Sequence, residues 1–140
     1  MHADFNRHPK NTQWVRELNI LFYLNEGWQD AYGGHLDLRH AKSGATARIA
    51  TPFNRLVVML TKGHTLHGYR PIAFPPGTYR TSIAAYAFST RAVDEPARST
   101  VWYPTQGGPL KRALGRMMPR LVAVKNRLFG SGTARKAEKS

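Results

Sequence analysis

The chain has 140 residues, with 21 Lys and Arg against 8 Asp and Glu, and no cysteine. This length allows one domain with a modest core, and three Trp, six Tyr and six Phe are enough to fill it. The lack of cysteine excludes disulfides and thiolate metal sites, so a metal would have to be held by His, Asp or Glu. We find no apolar run of the roughly 18 residues that a membrane span needs and no signal-peptide pattern, and we therefore expect a cytoplasmic location.

The net charge of +13 is concentrated towards the C-terminus. Residues 1–90 carry ten basic and five acidic residues, whereas residues 91–140 carry eleven and three. A strongly basic chain ordinarily suggests nucleic acid or anionic membrane as a partner. Here the excess belongs to an appendage, and its basic face lacks interleaved aromatic residues. We therefore predict no specific nucleic-acid partner.

Short apolar segments, separated by Gly, Pro and Asn, follow one another along residues 1–90. We predict strands at residues 17–25, 35–39, 45–49, 55–61 and 79–88, with 67–73 also extended. The first of these is almost continuously apolar, which predicts burial on both faces. Regularly spaced short strands are typical of an all-β sandwich or barrel of the jelly-roll type.

The last fifty residues differ in composition from the rest. Residues 91–109 contain Pro and paired Gly and are predicted to form a linker loop, and residues 130–140 are predicted to be disordered. Between them, apolar residues recur at helical spacing among Lys and Arg, which predicts a basic amphipathic helix at 110–129, kinked at Pro119. This helix either packs on the body or adsorbs to an anionic lipid or nucleic acid; we favour packing.

Two short motifs supply candidate metal ligands. His2-Ala3-Asp4 offers an imidazole and a carboxylate, and Gly63-His64-Thr65-Leu66-His67-Gly68 offers a second imidazole. Two His and one Asp on one face of an octahedral ion leave three positions open, as in non-heme Fe(II) oxygenases. Arg80 follows His67 by 13 residues and adds a cation that can hold an anionic co-substrate.

Residues 2 to about 90 resemble the 2-oxoglutarate and Fe(II)-dependent dioxygenases, in particular the bacterial branch similar to prolyl 4-hydroxylases. The matching segments are His2-Ala3-Asp4-Phe5-Asn6, Leu21-Phe22-Tyr23-Leu24-Asn25, Trp28, Gly33-Gly34-His35-Leu36, Pro52-Phe53-Asn54-Arg55-Leu56, His67-Gly68 and Arg80-Thr81-Ser82-Ile83-Ala84. The resemblance implies a double-stranded β-helix whose third to eighth strands are those predicted above. It also implies that the N-terminal part of the catalytic domain, with the first two strands, is missing. We therefore expect an open sheet edge through which chains can self-associate.

The resemblance assigns roles to six residues. It implies that Fe(II) and the catalytic centre are held by His2, Asp4 and His67, and that the co-substrate 2-oxoglutarate is bound by Arg80, Ser82 and Tyr23. A planar guanidinium matches the distal carboxylate with two parallel hydrogen bonds, and the Ser and Tyr hydroxyls add further donors. Dioxygen, an unidentified peptide or small-molecule substrate and, as a further cofactor, ascorbate complete the expected partners.

Two alternative ligand sets are present in the sequence. His64 competes with His67 for the distal position, but the family pattern His-Gly favours His67, which precedes Gly68. His35-Leu36-Asp37 is a second His-x-Asp motif. It precedes His67 by 32 residues, whereas His2 precedes it by 65, and only the longer interval has room for the intervening strands. We therefore expect His35 and Asp37 to lie outside the metal site.

The sequence thus predicts a dioxygenase that hydroxylates a prolyl residue, a peptide or a small metabolite and releases succinate and carbon dioxide. The alternative is a truncated, catalytically inactive jelly-roll fragment whose basic tail serves association.

Overall fold

The structure, a computed structural model, describes residues 1–90 and 97–103 together with residues 117, 118, 121, 124, 125 and 128. Within these residues the fold is mainly antiparallel β-sheet, which confirms the predicted all-β class. The strands are β1 (His2–Ala3), β2 (Val15–Tyr23), β3 (Leu36–His40), β4 (Thr46–Ile49), β5 (Arg55–Leu60), β6 (Thr65–Gly68), β7 (Ser82–Ser89) and β8 (Val101–Trp102). A single 3-10 turn is described, at Asp30–Tyr32.

The strands form two sheets. One has five strands in the order β4-β3-β6-β1-β8, and the other has three in the order β5-β2-β7. Apart from the hairpin of β3 and β4, each described strand lies in the sheet opposite its predecessor. Strands that are distant in sequence therefore become neighbours, and the short β1 lies between β6 and β8.

The core lies between the two sheets. Its buried members are Tyr23, Leu36, Val57 and Met59, with Leu21, Leu38 and Ile49 packed against them. These residues come from β2 and β5 on one side and from β3 and β4 on the other. Because side chains alternate along a strand, the face of β2 that carries Tyr23 also carries Asn19 into the space between the sheets.

The opposite face of the three-stranded sheet is apolar and open. Leu18, Ile20 and Phe22 of β2 are only partly buried, and the residues paired with them on β5 are more than half exposed. These are Leu60, Val58 and Leu56. The prediction that this strand is buried on both faces is therefore wrong for the described residues. An apolar run shows that both faces can be covered, but it does not show that a neighbouring element covers them.

Several predictions fall on the C-terminal part. The predicted loop at 91–109 contains β8 within the described residues 97–103, while 91–96 and 104–109 lie outside them. Of the predicted helix at 110–129, six residues are described; they have helical backbone and exposed side chains. The helix as a whole, like the disordered tail at 130–140, remains a prediction. Among the described residues, no helix is long and apolar enough to cross a membrane.

Candidate metal centre

The pairing of β1 with β6 places two histidines opposite each other. His2 and His67 are direct partners in the antiparallel register, and their ring centroids are 4.2 Å apart. Gly68 favours this approach, because a Cβ at that position would lie 3.1 Å from the Cα of Met1, closer than an ordinary contact. The glycine after the second histidine thus has a physical reason: it lets the start of β1 pass close to β6.

Asp4 follows β1 and points between the same two rings. Its Oδ1 lies 3.2 Å from His2 Nε2, and its Oδ2 lies 3.5 Å from His67 Nε2. One ligand atom from each residue lies within 4.8 Å of the others, and this is the only such group among the described residues. Adjacent ligands of an ion with bonds of about 2.1 Å are about 3 Å apart. The donor set and its spacing therefore fit a single metal ion of the type that binds two imidazoles and a carboxylate.

Two buried polar residues of β2 hold the Asp4 carboxylate. Arg16, whose side chain is 1% exposed, places Nη2 3.0 Å from Asp4 Oδ2, and Asn19 donates from Nδ2 to the same oxygen at 3.1 Å. The Arg16 guanidinium is enclosed by the rings of Phe5 and Tyr86, at 4.5 and 3.6 Å from their centroids. Because Oδ2 already accepts both contacts, Oδ1 is the oxygen that remains open towards His2.

The pKa values of Asp4 and His67 follow from burial and charge. Burial lowers the pKa of His67 from 6.5 to about 4, although Asp4 opposes the shift. Burial alone would raise the pKa of Asp4, but the hydrogen bond with His2 and the nearby cations lower it. Since His67 is uncharged at neutral pH, Arg16 is the permanent cation beside the carboxylate. A neutral imidazole and an ionised carboxylate are the forms that bind a metal.

A cationic group lies near the start of β7. Arg80 donates from Nε to the carbonyl oxygen of Gly34 at 2.6 Å and from Nη2 to the Tyr23 hydroxyl at 3.3 Å. Its guanidinium also lies over the ring of Tyr69, 4.5 Å from the centroid. Gly34 has a positive φ of 71°, and a Cβ there would lie 3.0 Å from Arg80 Cδ. The absence of a side chain at Gly34 therefore gives room to Arg80.

One cavity joins this cation to the ligand set. It has a volume of about 200 Å³, and its lining includes His2, Asp4, His67, Arg80, Tyr23 and Ser82. Ser82 is the direct partner of Tyr23 across β2 and β7, so the two hydroxyl-bearing side chains share a face. Burial raises the pKa of Tyr23, with Arg80 opposing, so the phenol stays protonated at neutral pH and keeps a hydrogen to donate.

The alternative ligands lie elsewhere. His35 contacts Asp30 Oδ1 through Nε2 at 2.8 Å, and Asp37 is paired with two arginines, Arg48 and Arg70. The ring of His64 packs against His40, with centroids 4.7 Å apart. None of these residues belongs to the three-residue group of ligand atoms found within the described ranges.

Sequence reasoning missed Arg16 and Asn19. The predicted strand begins at Glu17 and therefore does not include Arg16. Asn19 was inside it, and a polar side chain in an apolar strand should have been given a partner, because a buried amide without one is costly. Its Oδ1 has no hydrogen-bond partner among the described residues, and Asn19 lines the cavity.

Comparison with known proteins places the chain in a family. The two sheets and the His-Asp-His group are consistent with a metal-dependent oxygenase, and the family model of the 2OG-Fe(II) oxygenase superfamily matches residues 1–88. The chain belongs to the 2OG-Fe(II) oxygenase superfamily. No curated protein and no solved structure gives a significant match. The matched range includes all six residues to which the sequence assigned roles.

Proposed function

We propose that this chain is an Fe(II)- and 2-oxoglutarate-dependent dioxygenase in which His2, Asp4 and His67 hold the metal. The family supports a general oxygenase function, with iron and 2-oxoglutarate implied. The observation that carries the proposal is the single cavity of about 200 Å³ that contains both the three candidate ligands and the Arg80 group. This volume is below the roughly 300 to 1,000 Å³ of pockets for drug-sized ligands, which suits a small dicarboxylic acid.

The order of strands supports a double-stranded β-helix as the framework. In the five-stranded sheet β1 pairs with β6, and in the other sheet β7 pairs with β2. In that framework β1 corresponds to the end of the second strand, so the first pairing is that of the second strand with the seventh and the other is that of the third with the eighth. They bring the two metal-ligating motifs together and place Arg80 and Ser82 across the cavity.

The chain's own residues would bind and orient the co-substrate. Arg80 and the hydroxyls of Tyr23 and Ser82 would hold the distal carboxylate of 2-oxoglutarate, with Arg80 fixed in place by the carbonyl of Gly34. When bound, Fe(II) supplies the activation of dioxygen that drives oxidative decarboxylation of the co-substrate to succinate and carbon dioxide. Arg16 and Asn19 occupy one oxygen of Asp4, which would leave Oδ1 as a single-oxygen ligand.

The class of substrate is proposed from the sequence motifs. A prolyl residue, a peptide or a small metabolite is suggested by the resemblance of the motifs to the prolyl 4-hydroxylase-like branch. Ascorbate is proposed as an accessory reductant on the same basis. A cytoplasmic location remains part of the proposal.

Binding under argon tests the proposal directly. The protein is given Fe(II) and then 2-oxoglutarate, and the visible charge-transfer absorption of a metal-bound 2-oxoacid is recorded. We expect the band in the wild type and in His35→Ala, and its loss in His2→Ala and His67→Ala. If His35→Ala lost the band and His2→Ala kept it, the proposed ligand set would be wrong. A wild type that bound metal and 2-oxoglutarate without forming succinate in air would favour the inactive fragment.

A further inference from the structure

The segment of residues 97–103, which we call the strap, lies beyond the region matched by the family model and runs along the candidate ligand strand. Its two-residue strand β8 pairs with β1, with Ala3 opposite Val101 and His2 opposite Trp102. At the far end, Met1 and Tyr103 exchange two backbone hydrogen bonds, of 2.7 and 3.1 Å. The strap therefore provides one of the two strand neighbours of β1.

The strap also holds the chain on the other side of Asp4. The backbone N–H of Asn6 donates to the carbonyl of Arg98 at 3.2 Å, and the backbone N–H of Arg98 donates to Asn6 Oδ1 at 2.7 Å. The Arg98 side chain then donates from both Nε and Nη2 to the carbonyl oxygen of Asp4, each at 3.2 Å. Asn6 is 1% exposed, so these contacts are shielded from water.

Trp102 acts on the other candidate ligand. The centroid of its ring lies 4.5 Å from that of the His2 ring. The centroid of the His67 ring lies 4.2 Å from that of the His2 ring. Trp102 is itself 66% exposed, so burial of its own surface does not explain its position. The contact limits the orientations that the His2 imidazole can adopt.

β1 needs such support because it is short. It is two residues long, and its pairing with β6 is limited to the His2–His67 partners. Fixing the backbone of each residue costs conformational entropy, which a single pair of partners offsets poorly. The strap adds two register pairs and the Arg98 contacts over the same few residues.

We propose that the strap is a positioning element for the metal centre, with Arg98 as the positioning residue for Asp4 and Trp102 as that for His2. The inference rests on the proposed function for its metal, and its structural part stands on the contacts above. It extends the catalytic domain from residue 88, where the family match ends, to residue 103. Gly63 belongs to this arrangement, because a Cβ there would lie 2.8 Å from Arg98 Nη1.

Metal affinity tests the proposal with matched controls. Mn(II) is titrated into the metal-free full chain by calorimetry. Residues that orient metal ligands typically contribute 10- to 100-fold to affinity, and we expect Arg98→Ala and Trp102→Ala each to weaken binding by about 10-fold or more. Trp102→Phe, which keeps an aromatic ring, should recover most of the loss. The controls are Arg48→Ala, from a surface ion pair, and Trp14→Ala, whose exposed ring packs on His8; both should bind Mn(II) as the wild type does.

Amide hydrogen exchange of the metal-free protein gives a readout that does not depend on metal. In Arg98→Ala the amide of Asn6 should exchange faster, while amides in the centre of β2 keep their wild-type rates. Wild-type metal affinity in both strap variants would overturn the proposal. So would an equal increase in exchange throughout β2, which would mean that the strap serves the general fold. If the wild type bound no metal, the proposed function would fail, and the exchange rates would still decide whether the strap positions the strand.

Discussion

Asp4 is predicted to have a second role, as the counter-charge of a buried arginine. The Arg16 side chain is 1% exposed, its Nε has no hydrogen-bond partner among the described residues, and Asp4 is the carboxylate beside it, at 3.0 Å. Asp4→Asn would remove the negative charge and leave the guanidinium in place. Breaking a buried ion pair from one side typically costs about 3 to 5 kcal/mol, because the remaining charge is desolvated without compensation.

The surroundings of Arg16 set the expected value within that range. The rings of Phe5 and Tyr86 lie against the guanidinium and offset part of the loss, since a desolvated cation–π contact contributes up to about 2 kcal/mol. We therefore expect Asp4→Asn to lower the free energy of unfolding of the metal-free protein by about 3 kcal/mol. This is a large part of the roughly 5 to 15 kcal/mol that stabilises a typical domain.

Urea denaturation at pH 7 with a chelator, followed by tryptophan fluorescence, measures this loss. The matched control is Asp37→Asn. Like Asp4, Asp37 is paired with arginine, but the side chains of its two partners, Arg48 and Arg70, are 45% and 70% exposed. Exposed pairs contribute less than about 1 kcal/mol. The double variant Asp4→Asn with Arg16→Met removes both charges and should regain most of the stability. If Asp4→Asn destabilised the protein no more than Asp37→Asn, the assignment of Arg16 as a buried charge dependent on Asp4 would be refuted.

Four further outcomes are expected. Arg80→Ala should raise the KM for 2-oxoglutarate by about 30- to 900-fold, on the order of 2 to 4 kcal/mol, with that for Fe(II) little changed; an unchanged co-substrate KM would reject its role. Gly34→Ala should weaken 2-oxoglutarate binding in the same direction, because the new methyl group displaces Arg80, and calorimetry should show metal affinity intact. The free energy of unfolding of the metal-free protein should have its full His67 contribution above pH 6.5 and fall by about 3 kcal/mol towards pH 4, because His67 binds a proton more tightly when unfolded than when folded. Urea midpoints that did not change between pH 6.5 and pH 4 would contradict the low pKa of His67. His35→Ala should keep most 2-oxoglutarate decarboxylation and His2→Ala should lose it, as succinate release would show.

Strands β3, β4 and β5 could be predicted from the sequence because each carries its own signal. The predicted segments 35–39, 45–49 and 55–61 differ from β3, β4 and β5 by one residue at each end or less. Period-two alternation and flanking turn residues are local patterns, so they can be recognised without knowing which strands pair with each other. The prediction that residues 67–73 are extended is less accurate, since β6 occupies Thr65–Gly68.

β1 and β8 could not be predicted in this way. Two residues contain no periodicity, and each strand is defined only by its pairing with partners distant in sequence, β1 with β6 and β8, and β8 with β1. The residues of the candidate site were accessible through chemistry and resemblance, since His and Asp at these spacings indicate metal binding. The residues that hold these ligands in place could not be predicted. Arg98 and Asp4, for example, are 94 residues apart, and no local pattern connects them.

The long separation between β1 and its partners has a consequence for biosynthesis. At about 5 to 20 residues per second, roughly 5 to 20 s pass between the synthesis of Asp4 and that of Arg98. Contacts between distant residues also form late in folding, because the loop between them must first be closed. If the strap positions β1 as proposed, the three candidate ligands would be fully assembled only after residue 103 has left the ribosome. A metal ion would then bind to a formed cavity and not to the separate ligand motifs of the growing peptide.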